Sequence, residues 1–72
     1  MNELQLVNKE GAITSSEIGL LIEKSMRAII RQLTNLESIG EIKILVFRTN
    51  ITRRNVYVSN KVFNNLYNAQ KS

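Results

Sequence analysis

The spacing of apolar residues changes at Gly40, and this change restricts the chain to folds that combine helix and sheet. Before Gly40, apolar residues recur at helical spacing across residues 25–39, which predicts a helix with one buried face. The buried positions of that helix are Ile29, Leu33 and Leu36. After Gly40, two runs of β-forming residues, 42–47 and 55–59, flank a polar segment, and this pattern predicts an antiparallel hairpin. The 72 residues are therefore expected to form one domain of the α+β class.

A capping box predicts where the preceding helix begins. Thr14 is followed three residues later by Glu17, and in such a pair each side chain satisfies a backbone N–H of the first helical turn. We expect this helix over residues 15–22. Gly19 in its middle costs about 1 kcal/mol relative to alanine, which makes sense if another helix crosses closely over it. Ser25 is a suitable N-cap for the helix that follows.

Both ends of the chain also show helical spacing. Residues 2–10 precede Gly11 and fit either a short helix closed by that glycine or a strand, and we favour the helix. The C-terminal segment predicts a helix over residues 60–70, with Ser59 or Asn60 as its cap. The hairpin residues expected to face the core are Ile42, Ile44, Val46, Val56 and Val58.

The composition excludes most catalytic and metal-binding chemistry. The chain contains no cysteine, no histidine and no aspartate, so disulfides, thiolate zinc sites and the familiar catalytic triads are impossible. The six glutamates fall mainly at helix ends, and no two share an evident site. We therefore expect neither an enzyme nor a metal or other cofactor. A chain this short also leaves no room for a domain that binds a small-molecule ligand.

Positive charge is segregated along the chain. The formal net charge is +4, and residues 24–36 and 42–72 carry lysines and arginines without an acid. Such segregation suits a polyanion partner, with a basic surface kept for solubility as the alternative. No apolar stretch approaches the roughly 20 residues that span a bilayer, and no signal-peptide pattern opens the chain. We expect a soluble cytoplasmic protein without a membrane partner.

Residues 14–42, TSSEIGLLIEKSMRAIIRQLTNLESIGEI, resemble the winged helix-turn-helix family of DNA-binding proteins. Small regulators of this family show a capped helix with a small residue inside it, a short turn, and a second helix with spaced leucines that ends in glycine. Here the matching residues are Thr14, Glu17, Gly19, Ile29, Leu33, Leu36, Glu37 and Gly40. Glu23 departs from the pattern, because the family often has glycine in the turn. With the hairpin as the wing, the resemblance covers about the whole chain.

The resemblance implies a single winged helix-turn-helix domain over residues 1–72. It would comprise three helices, a two- to three-stranded antiparallel β wing and a short C-terminal helix. The helix-turn-helix would span residues 14–40, the wing 42–59 and the last helix 60–70. The implied function is sequence-specific binding of double-stranded DNA by a transcriptional regulator. Such regulators occur in prokaryotes, archaea, viruses and plasmids, act in the cytoplasm near the nucleoid or in the host cell, and are often homodimers.

The resemblance also assigns DNA contacts to particular residues. Arg27 and Arg31 lie one helical turn apart, nearly opposite Leu33, and no acid occurs between residues 25 and 36. The contacts expected from the recognition helix, in the major groove, are Ser25, Arg27, Ala28, Ile30, Arg31 and Thr34. Those expected from the turn and from the wing, on the backbone or in the minor groove, are Lys24, Arg48, Asn50, Thr52, Arg53 and Arg54. The alternative is a solvated helix face and ordinary edge protection of a hairpin.

A homodimer contact is expected from apolar residues near the two ends of the chain. The candidates are Leu4, Val7, Phe63, Leu66 and Tyr67, of which the last three can instead cap the core. Two alternatives to sequence-specific DNA binding stay open. One is a winged-helix module that binds protein, and the other is a non-specific or architectural nucleic-acid binder, including one that binds RNA.

Overall fold

The computed structural model describes the backbone of residues 2–71 and the side chains of residues 2–69. Within this range the chain forms an α+β domain with four helices and a three-stranded antiparallel sheet, as predicted at that level and compatible with a winged-helix-like layout. The helices are α1 (Glu3–Glu10), α2 (Ser15–Leu21), α3 (Met26–Ser38) and α4 (Asn60–Lys71). The strands are β1 (Ala12–Thr14), β2 (Ile42–Arg48) and β3 (Arg53–Ser59), in the order β1-β3-β2. None of the helices in residues 2–71 is long and apolar enough to cross a membrane.

Reciprocal hydrogen bonds begin the first two helices. The predicted box at α2 is confirmed, because Thr14 Oγ1 accepts from the Glu17 N–H at 3.2 Å and Glu17 Oε1 accepts from the Thr14 N–H at 3.1 Å. A second box, which was not predicted, joins Asn2 and Gln5 at the start of α1, with distances of 2.8 and 2.9 Å. This box explains why residues 3–10 form a helix rather than a strand.

Gly40 ends α3 by a Schellman motif, as its position in the sequence predicts. Its φ is +82°, a value that glycine adopts without steric cost. The Gly40 N–H donates to the Glu37 carbonyl at 3.1 Å, and the Glu41 N–H donates to the Leu36 carbonyl at 2.9 Å. The Gly40 carbonyl in turn accepts from Asn60 Nδ2 at 2.8 Å, so the end of α3 is tied to the start of α4.

The register of β2 and β3 corrects the predicted core face of the hairpin. Ile44 pairs with Tyr57, whereas Lys43 pairs with Val58. Directly opposite residues share one face of an antiparallel pair, so Tyr57 lies with Ile44 on the core side, and Val58 lies on the other side with Lys43. The latter side is covered by α4, where Phe63 lies 5.9 Å from Lys43 Nζ. The prediction that Val56 and Val58 share one core with Ile42 and Ile44 is therefore wrong.

The core lies between the first three helices and one face of the sheet. Its buried residues are Leu6, Val7, Ile13, Ile18, Ile22, Ile29, Leu33, Leu36, Ile42 and Tyr57. Val7 has no exposed surface, so it cannot contact a second copy as the dimer prediction required, and Leu4 is half-buried against the same core. Val46 was expected in the core but is 44% exposed, because β1 ends opposite Val56 and the hairpin continues beyond it.

Candidate nucleic-acid interface

The outer face of α3 is exposed and basic. Its inner face is buried as predicted, since Ile29 and Leu33 are fully enclosed. Arg27 and Arg31 are exposed one turn apart, and no ion pair with either is formed among the described residues. Like charges at this spacing repel each other by a few tenths of a kcal/mol. The predicted contact residues exposed on this helix are Arg27, Ala28, Ile30, Arg31 and Thr34.

Ser25 has a structural role at the start of α3. Its hydroxyl accepts from the Ala28 N–H at 3.2 Å, which confirms the predicted N-cap. The helix packs closely on α2, because a Cβ placed on Gly19 would lie 3.0 Å from the Met26 Cε and 4.0 Å from the Ile29 Cδ1. This close approach agrees with the expected crossing over Gly19, and it holds the first turn of α3 against α2.

Lys24, in the turn between α2 and α3, is paired with an acid. Its Nζ lies 3.1 and 3.4 Å from the two carboxylate oxygens of Glu3. Glu3 is only 1% exposed, whereas the Lys24 side chain is 47% exposed. The predicted DNA contact of Lys24 thus competes with an ion pair that ties the turn to α1. Glu3 was not predicted, although its spacing of three and four residues from Leu6 and Val7 places it on their buried face.

The hairpin end carries three of the predicted arginines. Arg48 pairs directly with Arg53, and Arg54 pairs with Phe47. Like charges directly opposite each other destabilise a strand pair, and no acid forms an ion pair with any of these arginines among the described residues. All three guanidinium-bearing residues are exposed. The hairpin therefore concentrates positive charge at a cost to its own stability.

Thr49, which was not predicted, organises the tip of the hairpin. Its hydroxyl accepts from the N–H groups of Ile51 at 3.2 Å and of Thr52 at 2.9 Å. Its own N–H donates to the Thr52 carbonyl at 2.8 Å. A residue with positive φ often provides a turn of this kind, but no described residue other than glycine has a positive φ. The threonine side chain, which can bond nearby backbone N–H groups, replaces that device.

A polar groove of about 840 Å³ lies where α2, α3 and the hairpin meet. Its lining residues are Thr14, Ser15, Ser16, Glu17, Ile30, Thr52, Arg53, Arg54, Asn55 and Tyr57. It brings together four predicted contact residues, Ile30, Thr52, Arg53 and Arg54, whereas Arg27, Arg31 and Arg48 lie outside it. Asn55 and Tyr57 were missed, although alternate residues of one strand share a face with Arg53.

Two ionisable groups of this polar groove have shifted pKa values. The pKa of Glu17 lies below its ordinary value because the Thr14 N–H donates to the carboxylate; the Thr14 hydroxyl and the charge of Arg54 act in the same direction. Burial raises the pKa of Tyr57, so its phenol keeps the proton at neutral pH. Glu17 is the one acid in the groove lining, and Arg54 offsets its charge.

A second, apolar groove of about 380 Å³ lies between β2 and α4 and is called the α4 groove below. Its lining residues are Leu45, Val46, Phe47, Phe63, Leu66 and Tyr67. It brings together the three C-terminal residues of the predicted dimer contact, and Phe47, Leu66 and Tyr67 are each about half exposed. Leu4 and Val7 do not belong to it. Phe47 was not predicted here, because the run of apolar residues over 42–47 does not alternate.

The described residues contain no cluster of three acidic, histidine or cysteine side chains able to hold a metal ion. Comparison of the chain with protein-family models, with curated proteins and with solved structures found no match.

Proposed function

We propose that the protein binds double-stranded DNA in a sequence-specific manner and acts as a transcriptional regulator of the winged helix-turn-helix type. In this proposal α3 is the recognition helix and the β2–β3 hairpin is the wing. One observation supports it most. The five arginines of the chain are all exposed on these two elements, and none forms an ion pair among the described residues. A polyanion would relieve the repulsion between Arg27 and Arg31 and the repulsion between Arg48 and Arg53.

The dimensions of DNA suit this arrangement. The major groove admits one α-helix, whose N-terminal residues reach the base edges. Arg27 and Arg31 occupy the first two turns of α3 and can each donate two hydrogen bonds to guanine or to phosphate. The polar groove would receive the adjacent DNA backbone, with Arg53, Arg54 and the hydroxyls of Ser15 and Ser16 as donors.

Selection from random duplex DNA, followed by a salt titration on the selected site, tests the proposal. We expect one preferred sequence and an affinity that falls steeply with salt, because counterions are released from the phosphates. The changes Arg27→Ala and Arg31→Ala should each weaken binding by about 1–3 kcal/mol and relax specificity at one position. Lys61→Ala, at an exposed site on α4, is the matched control and should bind nearly as the wild type does.

Other outcomes of the selection would support other functions. Unchanged affinity of the two arginine variants for the selected site would refute the assignment of α3. Binding to every duplex alike would favour an architectural role, and preference for RNA over duplex DNA would favour an RNA-binding protein. No nucleic-acid binding at any salt would favour a module that binds protein.

We further propose that the protein acts as a homodimer through the α4 groove. The groove joins half-exposed aromatic and aliphatic side chains of β2 and α4, and such a surface is stabilised by covering it. A domain this small also benefits from burial between protomers. Sedimentation equilibrium should show a dimer that Leu66→Ser weakens, and the selected DNA site should be palindromic. A monomer at all concentrations on a non-palindromic site would contradict the dimer while leaving DNA binding intact.

A further inference from the structure

Ile51, at the tip of the hairpin, is 93% exposed, the highest value among the large apolar residues that the structure describes. A single exposed apolar residue is common on protein surfaces and needs no explanation by itself. Two features of its surroundings distinguish this one: the backbone beneath it is held in place, and its flanks are cationic.

The backbone around Ile51 is held by hydrogen bonds rather than left as an open loop. Thr49 Oγ1 accepts from the Ile51 N–H at 3.2 Å and lies 3.0 Å from the Thr52 Oγ1. The Thr49 N–H bonds the Thr52 carbonyl across the base of the tip. Because these hydrogen bonds hold the tip without a partner, presenting Ile51 to one costs little additional conformational entropy.

The hairpin residues that flank Ile51 carry positive charge, and the hairpin itself contains no acid. Arg48 and Arg53 form the last strand pair before the tip, and they stand directly opposite each other. No acid occurs in the sequence after Glu41. An exposed apolar side chain at a tip flanked by two arginines matches a narrow DNA groove, where the phosphates line the two walls and the base edges form the floor.

We propose that Ile51 inserts into the minor groove and partly unstacks one base step, while Arg48 and Arg53 bind the phosphates on either side. This inference rests on the proposed DNA binding and adds a residue and a DNA deformation to it. Apolar side chains that enter the minor groove act as wedges that kink the duplex toward the major groove. Pyrimidine–purine steps such as TA and CA deform most easily, so the preferred site should contain one at the position that the tip reaches.

The test uses the full chain and duplexes of the selected site, each with 2-aminopurine at a different position of the flanking sequence. Unstacking raises the fluorescence of this base, and energy transfer between labelled duplex ends reports bending. The wild type should raise the fluorescence only at the step that each hairpin tip reaches, which is one step per half-site of a palindromic duplex, and should shorten the end-to-end distance. Ile51→Ser should abolish both signals and weaken binding about tenfold or more, since a buried isoleucine contributes that much. Ile51→Leu should retain both.

The controls separate this inference from the function on which it rests. Thermal unfolding of Ile51→Ser should match the wild type because the side chain is almost wholly exposed. If the wild type binds the selected duplex but no position brightens, or if Ile51→Ser brightens and bends it equally, the insertion is refuted and DNA binding stands. If the wild type binds no duplex, both proposals are refuted.

Discussion

Replacing Gly19 by alanine tests the packing of α2 on α3 directly. Gly19 has an ordinary helical backbone, so alanine gains about 1 kcal/mol of helix propensity there. Against this gain stands one contact, because the new Cβ would lie 3.0 Å from Met26 Cε. That atom ends a flexible side chain that is partly exposed, and a thioether side chain adapts readily. A shift of a few tenths of an ångström relieves the contact, so we expect a net stabilisation of about 0.5–1 kcal/mol.

Thermal and urea unfolding measure this change. For a domain of this size, a stabilisation of 0.5–1 kcal/mol raises Tm by about 2–8 °C. In a Met26→Ala background the contact is absent, so the gain from Gly19→Ala should reach the full value of about 1 kcal/mol. Gly19→Leu is the contrasting variant and should destabilise, because its side chain would collide with the buried Ile29. A lower Tm for Gly19→Ala in both backgrounds would refute the reasoning, since Met26 would then not be the limiting contact.

Three further predictions concern the ends of helices and the buried acid. Gly40→Ala should lower stability by about 1 kcal/mol because of the positive φ alone, since no heavy atom lies within 4 Å of the added Cβ. Gly40→Asn should lower stability by less, as measured by thermal unfolding. Equal losses of stability in the two variants would argue against a purely conformational cost. Lys24→Met leaves the Glu3 carboxylate buried without its partner and should lower the free energy of unfolding in urea by about 1–3 kcal/mol. The double variant that also carries Glu3→Met should recover most of that stability. Losses that add in the double variant would contradict the pairing. Glu17→Gln keeps the capping box but cannot ionise. Folding lowers the pKa of Glu17, so its negative charge stabilises the wild type at pH values above the ordinary pKa, and this stabilisation is lost as the pH falls through the pKa of the folded state. The Tm advantage of the wild type over the variant should therefore shrink from pH 7 to pH 3. A Tm difference that stays constant over this range would contradict the prediction.

The helices could be predicted because their signals are local. Thr14 and Glu17, Ser25 and Gly40 each act within a few residues of the helix end that they specify, so sequence spacing alone reveals them. The same local reasoning overlooked Asn2 and Gln5, where asparagine and glutamine replace the more familiar threonine and glutamate.

The faces of the hairpin could not be predicted, because β2 is covered on both sides. Residues 42–47 are apolar almost without interruption, as in strands buried on two faces, so no alternation reveals the core side. Only the register, with Tyr57 opposite Ile44, assigns the faces. A one-residue shift would exchange them, and placing Val56 and Val58 in the core amounted to such a shift.

The candidate site, too, could be predicted from the sequence only where its signals are local. Exposure of Arg27 and Arg31 follows from the helical period, and the arginines of the hairpin follow from its polar composition. The Glu3–Lys24 pair joins residues 21 positions apart, and the polar groove needs three separate elements to meet. Neither arrangement has a local signal, and both depend on how the helices pack on the sheet.

The hydrogen bond from Asn60 to the Gly40 carbonyl links the two surfaces to which functions are proposed. It fastens Asn60, the first residue of α4, to Gly40, which lies two residues beyond the end of α3. α4 lines the α4 groove, and α3 carries Arg27 and Arg31 in its first two turns. Any displacement of α4 must stretch this bond or carry α3 with it. If contact with a second copy fixes the position of α4, dimerisation also fixes the orientation in which α3 meets DNA. By thermodynamic reciprocity, DNA binding would then strengthen the dimer by an equal factor.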